Sequence, residues 1–269
     1  MKKENIYNGD VKITVENQKE ITKTFKEVTK ICGSVYVSAN ATFTAPALTS
    51  VSGSVYVREN ATFTAPALTQ SGYVDVSANA TFTAPALTQS GYVYVSANAT
   101  FTAPALTSVS GSVDVSANAT INIKQLKNLK YKSVDNSLFV IESEKTSKGI
   151  KILTGYNVLK IEKGKLVKQP CYVAEKDNFF AHGETVKKAI QDLNFKIIAE
   201  KLNKEPIKAD TIITVEYYRI VTGACLQGCE SWMKQNGITK TEYKAKDLLP
   251  LLEKTHAYGY EKFKSLITF

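Results

Sequence analysis

The chain has 269 residues, 34 Lys and Arg against 25 Asp and Glu, two His, four Cys and 43% hydrophobic residues. This composition excludes a collagenous, disordered or disulfide-framework protein, and the length can bury a core without metal or disulfide staples. The charge is uneven: residues 33–119 hold only Arg58, Glu59, Asp75 and Asp114, so the net excess of +9 lies from residue 120 onward.

In chain order, the first feature is an internal repeat. Gly33-Ser-Val-Tyr-Val-Ser-Ala-Asn40-Ala-Thr-Phe-Thr-Ala-Pro-Ala-Leu48 returns nearly verbatim from Gly53, Gly72 and Gly91, and its first half returns from Gly111. Asn40, Asn60, Asn79, Asn98 and Asn118 are spaced by 20, 19, 19 and 20 residues, and Val11–Asn17 is a degenerate opening copy. The two-residue alternation of Val35-Tyr36-Val37, bounded by Gly and Pro, predicts a short strand with an irregular return, not a helix. One rung cannot bury its apolar residues alone. Stacking rungs about 4.8 Å apart turns Val35, Val37, Phe43, Leu48 and Val51 into columns. The asparagines are expected as a ladder of buried amides serving free backbone groups.

After the repeat, Ser137–Ile141, Gly149–Leu153, Val158–Ile161 and Cys171–Val173 read as strands, with Glu162-Lys-Gly-Lys165 as a hairpin turn. They are expected to cap the open end of the array. Helices are expected over Glu184–Asn203 (inward Val186, Ile190, Leu193, Ile197, Leu202), Val215–Thr222, Ala224–Asn236, Leu248–Glu253 and Tyr260–Ile267. The fold class is therefore mainly β. A parallel β-solenoid of about six rungs over 1–125 is followed by a strand-rich capping segment over 126–180 and a basic helical module over 181–269, the latter parts forming a small α+β region.

The run Val35-x-Val37-x-x-Asn40 resembles the strand-and-asparagine core of leucine-rich repeats. Together with Pro-Ala-Leu-Thr-Ser-Val-Ser-Gly, it is most similar to the receptor-L-domain-like variety over roughly residues 11–120. The chain departs from that pattern in having Asn-x-x-Phe and in using Val and Ala for most Leu. The resemblance implies one regular parallel sheet that binds other macromolecules, and no chemistry. Phe180-Ala-His-Gly-Glu-Thr and Val221-Thr-Gly-Ala-Cys225-Leu-Gln-Gly228 resemble a C-terminal module of repeat proteins from bacteriophages and mobile elements. That likeness implies a phage-encoded inhibitor of a host defence system, such as an anti-CRISPR, and carries no catalytic role.

The candidate partner-binding residues are the outward row Tyr36, Tyr56, Asp75, Tyr94 and Asp114 with the flanking Tyr73 and Tyr92, because aromatics with few charges suit binding cores. Lys160, Lys163, Lys165 and Lys168 are the candidates for nucleic-acid contact, although no phosphate loop or nucleic-acid motif accompanies them. The Thr42-Phe-Thr44 pairs, which look like those of solenoid ice-binding proteins, are read as strand surface, and the five Asn-Ala-Thr triplets as by-products of the repeat. Cys225 and Cys229, four apart, are expected on one helix face with Gly228 and Trp232 as a buried packing groove. The enzymatic alternative pairs a Cys225 nucleophile with His182 or His256. A zinc site on Cys171, Cys225, Cys229 and a His lacks the paired short spacings of such sites. The expectation is thus a non-enzymatic protein with a protein partner and no cofactor or metal. With no apolar leader and no run of 18 apolar residues, it is expected to be cytoplasmic and off the membrane.

Overall fold

In the computed structural model, which describes residues 5–204 and 206–268, the chain divides into two compact units, Met1–Val173 and Ala174–Phe269. The first is a β-solenoid of about 6 turns. Its Val-x-Val strands stack in parallel in strict register: Val35–Val37 on Val55–Val57, then Gln70–Val76, Gln89–Val95 and Val113–Val115, with the degenerate Val11–Ile13 on the opposite side of Val35–Val37. All the valines of these strands are buried, as the alternation requires.

The return path is more regular than expected. Thr42–Thr44, Thr62–Thr64, Thr81–Thr83, Thr100–Thr102 and Thr120–Asn122 form a second parallel sheet of five strands. Here too the period is two: β-branched threonines face out, and Phe43, Phe63, Phe82 and Phe101 are wholly buried. The inner rings form a column with centroids 6.0, 5.3 and 5.1 Å apart, nearly parallel by the last pair. Two turns join the sheets in each rung. In the first complete rung, Ala41 N–H donates to the Ser38 carbonyl and, past Pro46, Leu48 N–H donates to the Ala45 carbonyl.

The 19-residue rungs differ from the 20-residue ones where the chain re-enters the first sheet. Ser50–Val51 and Val55–Val57 are separate strands with Ser52-Gly53-Ser54 between them. Deleting one residue fuses the two segments into the continuous strands Gln70–Val76 and Gln89–Val95.

The asparagine ladder corrects the sequence reading. Asn40, Asn60, Asn79, Asn98 and Asn118 are exposed, and all adopt φ between 58° and 62°. The turn needs no buried amide because its main chain is served by the neighbouring rung: Asn40 N–H donates to the Glu59 carbonyl and Asn79 N–H to that of Ala97. The position selects Asn because that residue tolerates the left-handed conformation. Asn79→Ala is therefore expected to cost roughly 1 kcal/mol, while Asn79→Gly stays close to wild type. Denaturant melts check this, since a buried-amide role would make Gly as harmful as Ala.

Both ends of the solenoid are covered. Helix α1 (Gln18–Thr24) replaces the Thr-Phe-Thr strand of the opening rung. Gln18 Oε1 accepts from Thr42 N–H at 2.6 Å, and Phe25 meets Phe43 edge-on at 6.0 Å. At the other end, Lys130–Val134, Ser137–Ser147, Ile150–Glu162 and Lys165–Lys176 form an antiparallel meander, pairing Asp114 with Ser137 and Val109 with Ile161. The expected hairpin turn is present, with Lys163 and Gly164 at φ 49° and 74°. Gly164 N–H donates to the Thr107 carbonyl at 2.7 Å, ending a ladder in which the hydroxyls of Thr69, Thr88 and Thr107 donate to the carbonyls of Thr49, Thr69 and Thr88. Segment 126–173 thus belongs to the solenoid unit.

The second unit carries the strand Phe179–Gly183 and helices α2 (Val186–Lys204), α3 (Val215–Thr222), α4 (Leu226–Gln235), α5 (Ala245–Lys254) and α6 (Tyr260–Ser265). It also has two short strand pairs, Ile207–Lys208 with Ile267–Thr268 and Ile212–Thr214 with Glu242–Lys244, which the helical reading missed. Helix α2 is rotated from its expected face. Ala189, Leu193 and Ile198 are buried, Val186 is exposed, and the side chain of Leu202 lies outside the described residues. A Cβ on Gly183 would lie 2.5 Å from Ala189 N, so two small residues let the helix sit against the strand there. Among the described residues no helix is long and apolar enough to cross a membrane.

Candidate functional site

The in-register Val-x-Val strands place one side chain per rung on the outside. The row runs Lys12, Tyr36, Tyr56, Asp75, Tyr94, Asp114. Two residues earlier, on the same side of each strand, stand Ser34, Ser54, Tyr73, Tyr92 and Ser112. All seven expected partner-binding residues therefore share one face. They are not equally available: Tyr73, Tyr92 and Tyr94 are 51%, 41% and 40% exposed, while Tyr36 and Tyr56 are half-buried.

The rings pair along the stacking direction. Tyr36 and Tyr56 lie 4.9 Å apart at 11°, and Tyr73 and Tyr92 lie 4.6 Å apart at 7°. Rings stacked on one another show a partner chiefly their edges and hydroxyls. The face is therefore suited to polar-tipped contacts with apolar flanks and poorly suited to intercalating bases. Beside it runs a shallow groove of about 400 Å³ whose lining includes Gln70, Ser71, Gln89 and Ser90.

The central carboxylate of this face is ion-paired. Arg58, an outlier in a serine position, holds Asp75 at 3.2 Å and lies 5.1 Å from the Tyr56 ring centroid. Burial nevertheless pushes the Asp75 carboxyl above its ordinary value of 3.8, with Arg58 opposing the shift. The native state thus binds this proton more tightly than the unfolded chain does. The carboxylate costs stability as pH rises through its raised value, and the cost is complete at neutral pH. Asp75→Asn is expected to be more stable than wild type at pH 7, with the gain vanishing as pH falls below 3.8. Melts at the two pH values check it. Asp114 sits at the end of the row, where its Oδ2 accepts from Ser112 Oγ at 2.6 Å.

Sequence reasoning missed Lys12, Arg58 and the seat of Tyr92. A Cβ on Gly111 would fall 2.2 Å from the Tyr92 ring, so that glycine leaves the space the ring occupies. The signal for Arg58 was its isolation as a cation within the repeat.

The four lysines proposed for nucleic acid are on the meander hairpin. Lys160 pairs with Glu162 at 2.5 Å, Lys168 stands 4.1 Å from the Tyr156 ring centroid, Lys163 is in the turn and Lys165 follows it. Two of the four charges are thus engaged within the fold.

The cysteine reading is also revised. Cys225 is exposed and forms the N-cap of α4, its Sγ accepting from Gly228 N–H at 3.2 Å, while Cys229 is buried. Cys225, Gly228, Cys229 and Trp232 line one cavity, as a shared face requires, but Cys225 is exposed there and not packed away as expected. Cys32 is exposed as well, and Cys171 is buried. Burial raises the Cys171 and Cys229 thiols above their ordinary range. The cavity beside Cys225 is lined by neither His182 nor His256. Among the described residues no three His, Cys, Asp or Glu side chains group as metal ligands would. No protein-family model, curated protein or solved structure matches the chain.

Proposed function

We propose that the protein is a non-catalytic binding protein whose solenoid face docks on a protein partner. The observation that carries this reading is the pair of tyrosine rows, five rings on one flat, register-locked face with its central carboxylate held by Arg58. Tyrosines of this kind supply large contact area at small entropic cost. A leucine-rich-repeat-like solenoid used for macromolecular binding fits the same reading. The likeness of the C-terminal module to those of phage repeat proteins supports a narrower form, a phage-encoded inhibitor of a host defence system such as an anti-CRISPR.

The test is capture from a bacterial lysate on the immobilised protein, with and without nuclease, over a salt series. Retention of a protein that survives nuclease and changes little between low and physiological salt is expected. Retention lost on nuclease treatment, or falling steeply with salt, would move the working surface to the lysines.

A further inference from the structure

The second unit holds a feature that docking by the solenoid does not use. A half-open cavity of about 450 Å³ lies among α3, α4, α5 and the strands Ile212–Thr214 and Glu242–Lys244. Its walls include Tyr218, Cys229, Trp232, Met233, Leu248 and Leu252. This volume is within the range of small-molecule sites, and an apolar hollow left empty forfeits the contacts its lining could make. Water is a poor occupant because such largely apolar walls give it few partners.

The charge around the cavity has one sign. Among the described residues no carboxylate lines it, and the single ionic residue that does is Lys240, exposed at the rim with Nζ 5.0 Å from the Tyr243 ring centroid. Among the described residues no Asp or Glu stands within ion-pair distance of Lys240. At the N-terminus of α4 the Gly228 N–H is already taken by Cys225 Sγ. That leaves Lys240 as the group to meet a ligand's charge. One flexible ammonium suits a single anionic head better than a phosphate, which recruits several donors.

We propose that this cavity binds a small amphipathic carboxylic acid, its apolar body among Trp232, Leu248 and Leu252 and its carboxylate at Lys240. The site is independent of the solenoid face, so either proposal can fail alone.

The protein carries its own reporter, because Trp232 is the single tryptophan of the chain and lines the cavity. The experiment titrates decanoate, with decanol and decyltrimethylammonium as controls, into the full chain and into Lys240→Met, following tryptophan emission below micellar concentrations. A saturable decanoate response is expected, with the alcohol and the cation weaker. Decanoate affinity should drop about fivefold in Lys240→Met, the scale of an exposed ion pair, while the decanol response is unchanged. A rise in melting temperature with decanoate should accompany it. The proposal is overturned by the absence of saturation, by decanol binding as tightly as decanoate, or by a Lys240→Met variant that binds decanoate like wild type.

Discussion

Replacing Tyr73, Tyr92 and Tyr94 together with Ala is expected to weaken partner binding at least about a hundredfold while the solenoid stays folded. These three rings are the most exposed of the tyrosine face, and an aromatic anchor buried at an interface is worth about 2 kcal/mol or more. Hot-spot losses do not add linearly, so a hundredfold is the lower bound of what three such rings imply. Tyr36 and Tyr56 are left in place because they are half-buried, with Arg58 over Tyr56, so removing them would disturb the fold as well. The control is charge reversal at Lys163 and Lys165, which should leave binding within a few-fold of wild type. Affinity is read by titration against the captured partner, and folding by far-UV circular dichroism. Normal binding by the tyrosine variant, with binding lost in the lysine variant, would make the repeat a spacer and the meander hairpin the working part.

Phe82→Ala should produce the largest loss of stability of any single change in the repeat, about 3–5 kcal/mol. Phe82 is fully buried, with Phe63 at 5.3 Å on one side and Phe101 at 5.1 Å on the other. Truncation removes the ring's transfer energy and leaves a hole that neighbours locked in strand register cannot close. Its position in the array adds to the effect. A solenoid is held by nearest-neighbour interfaces, and a defect in the middle leaves short stacks on either side, near the number of repeats that cannot stand alone. Phe43, by contrast, packs on Phe25 of the N-terminal cap, and its loss should be partly absorbed there. Urea unfolding of the full chain measures both variants, and a Phe82→Ala cost below about 1 kcal/mol would mean that the phenylalanine column is not tightly packed.

The repeat itself determined much of this protein. Period two in Val-x-Val set which side chains face inward, the 19- and 20-residue spacing fixed the number of rungs, and Lys163-Gly164 marked a hairpin, because these depend on local backbone preference and strand alternation alone. The same alternation was present in Thr-Phe-Thr, but three residues between a turn and a proline do not distinguish a strand from a loop. Only pairing with the rungs above and below makes them a sheet. The asparagines show the limit most clearly. Asn is both a good buried amide and a good left-handed residue, and inter-rung main-chain bonds such as Asn79 N–H to the Ala97 carbonyl made the amide unnecessary. Likewise, the outward tyrosines were legible from their buried neighbours, whereas their stacking into pairs, the Arg58–Asp75 contact across rungs and the cavity around Trp232 arise between residues distant in sequence. Tertiary structure decided these, because ring orientation, ion pairing and empty volume are properties of the packed neighbours and not of the local chain.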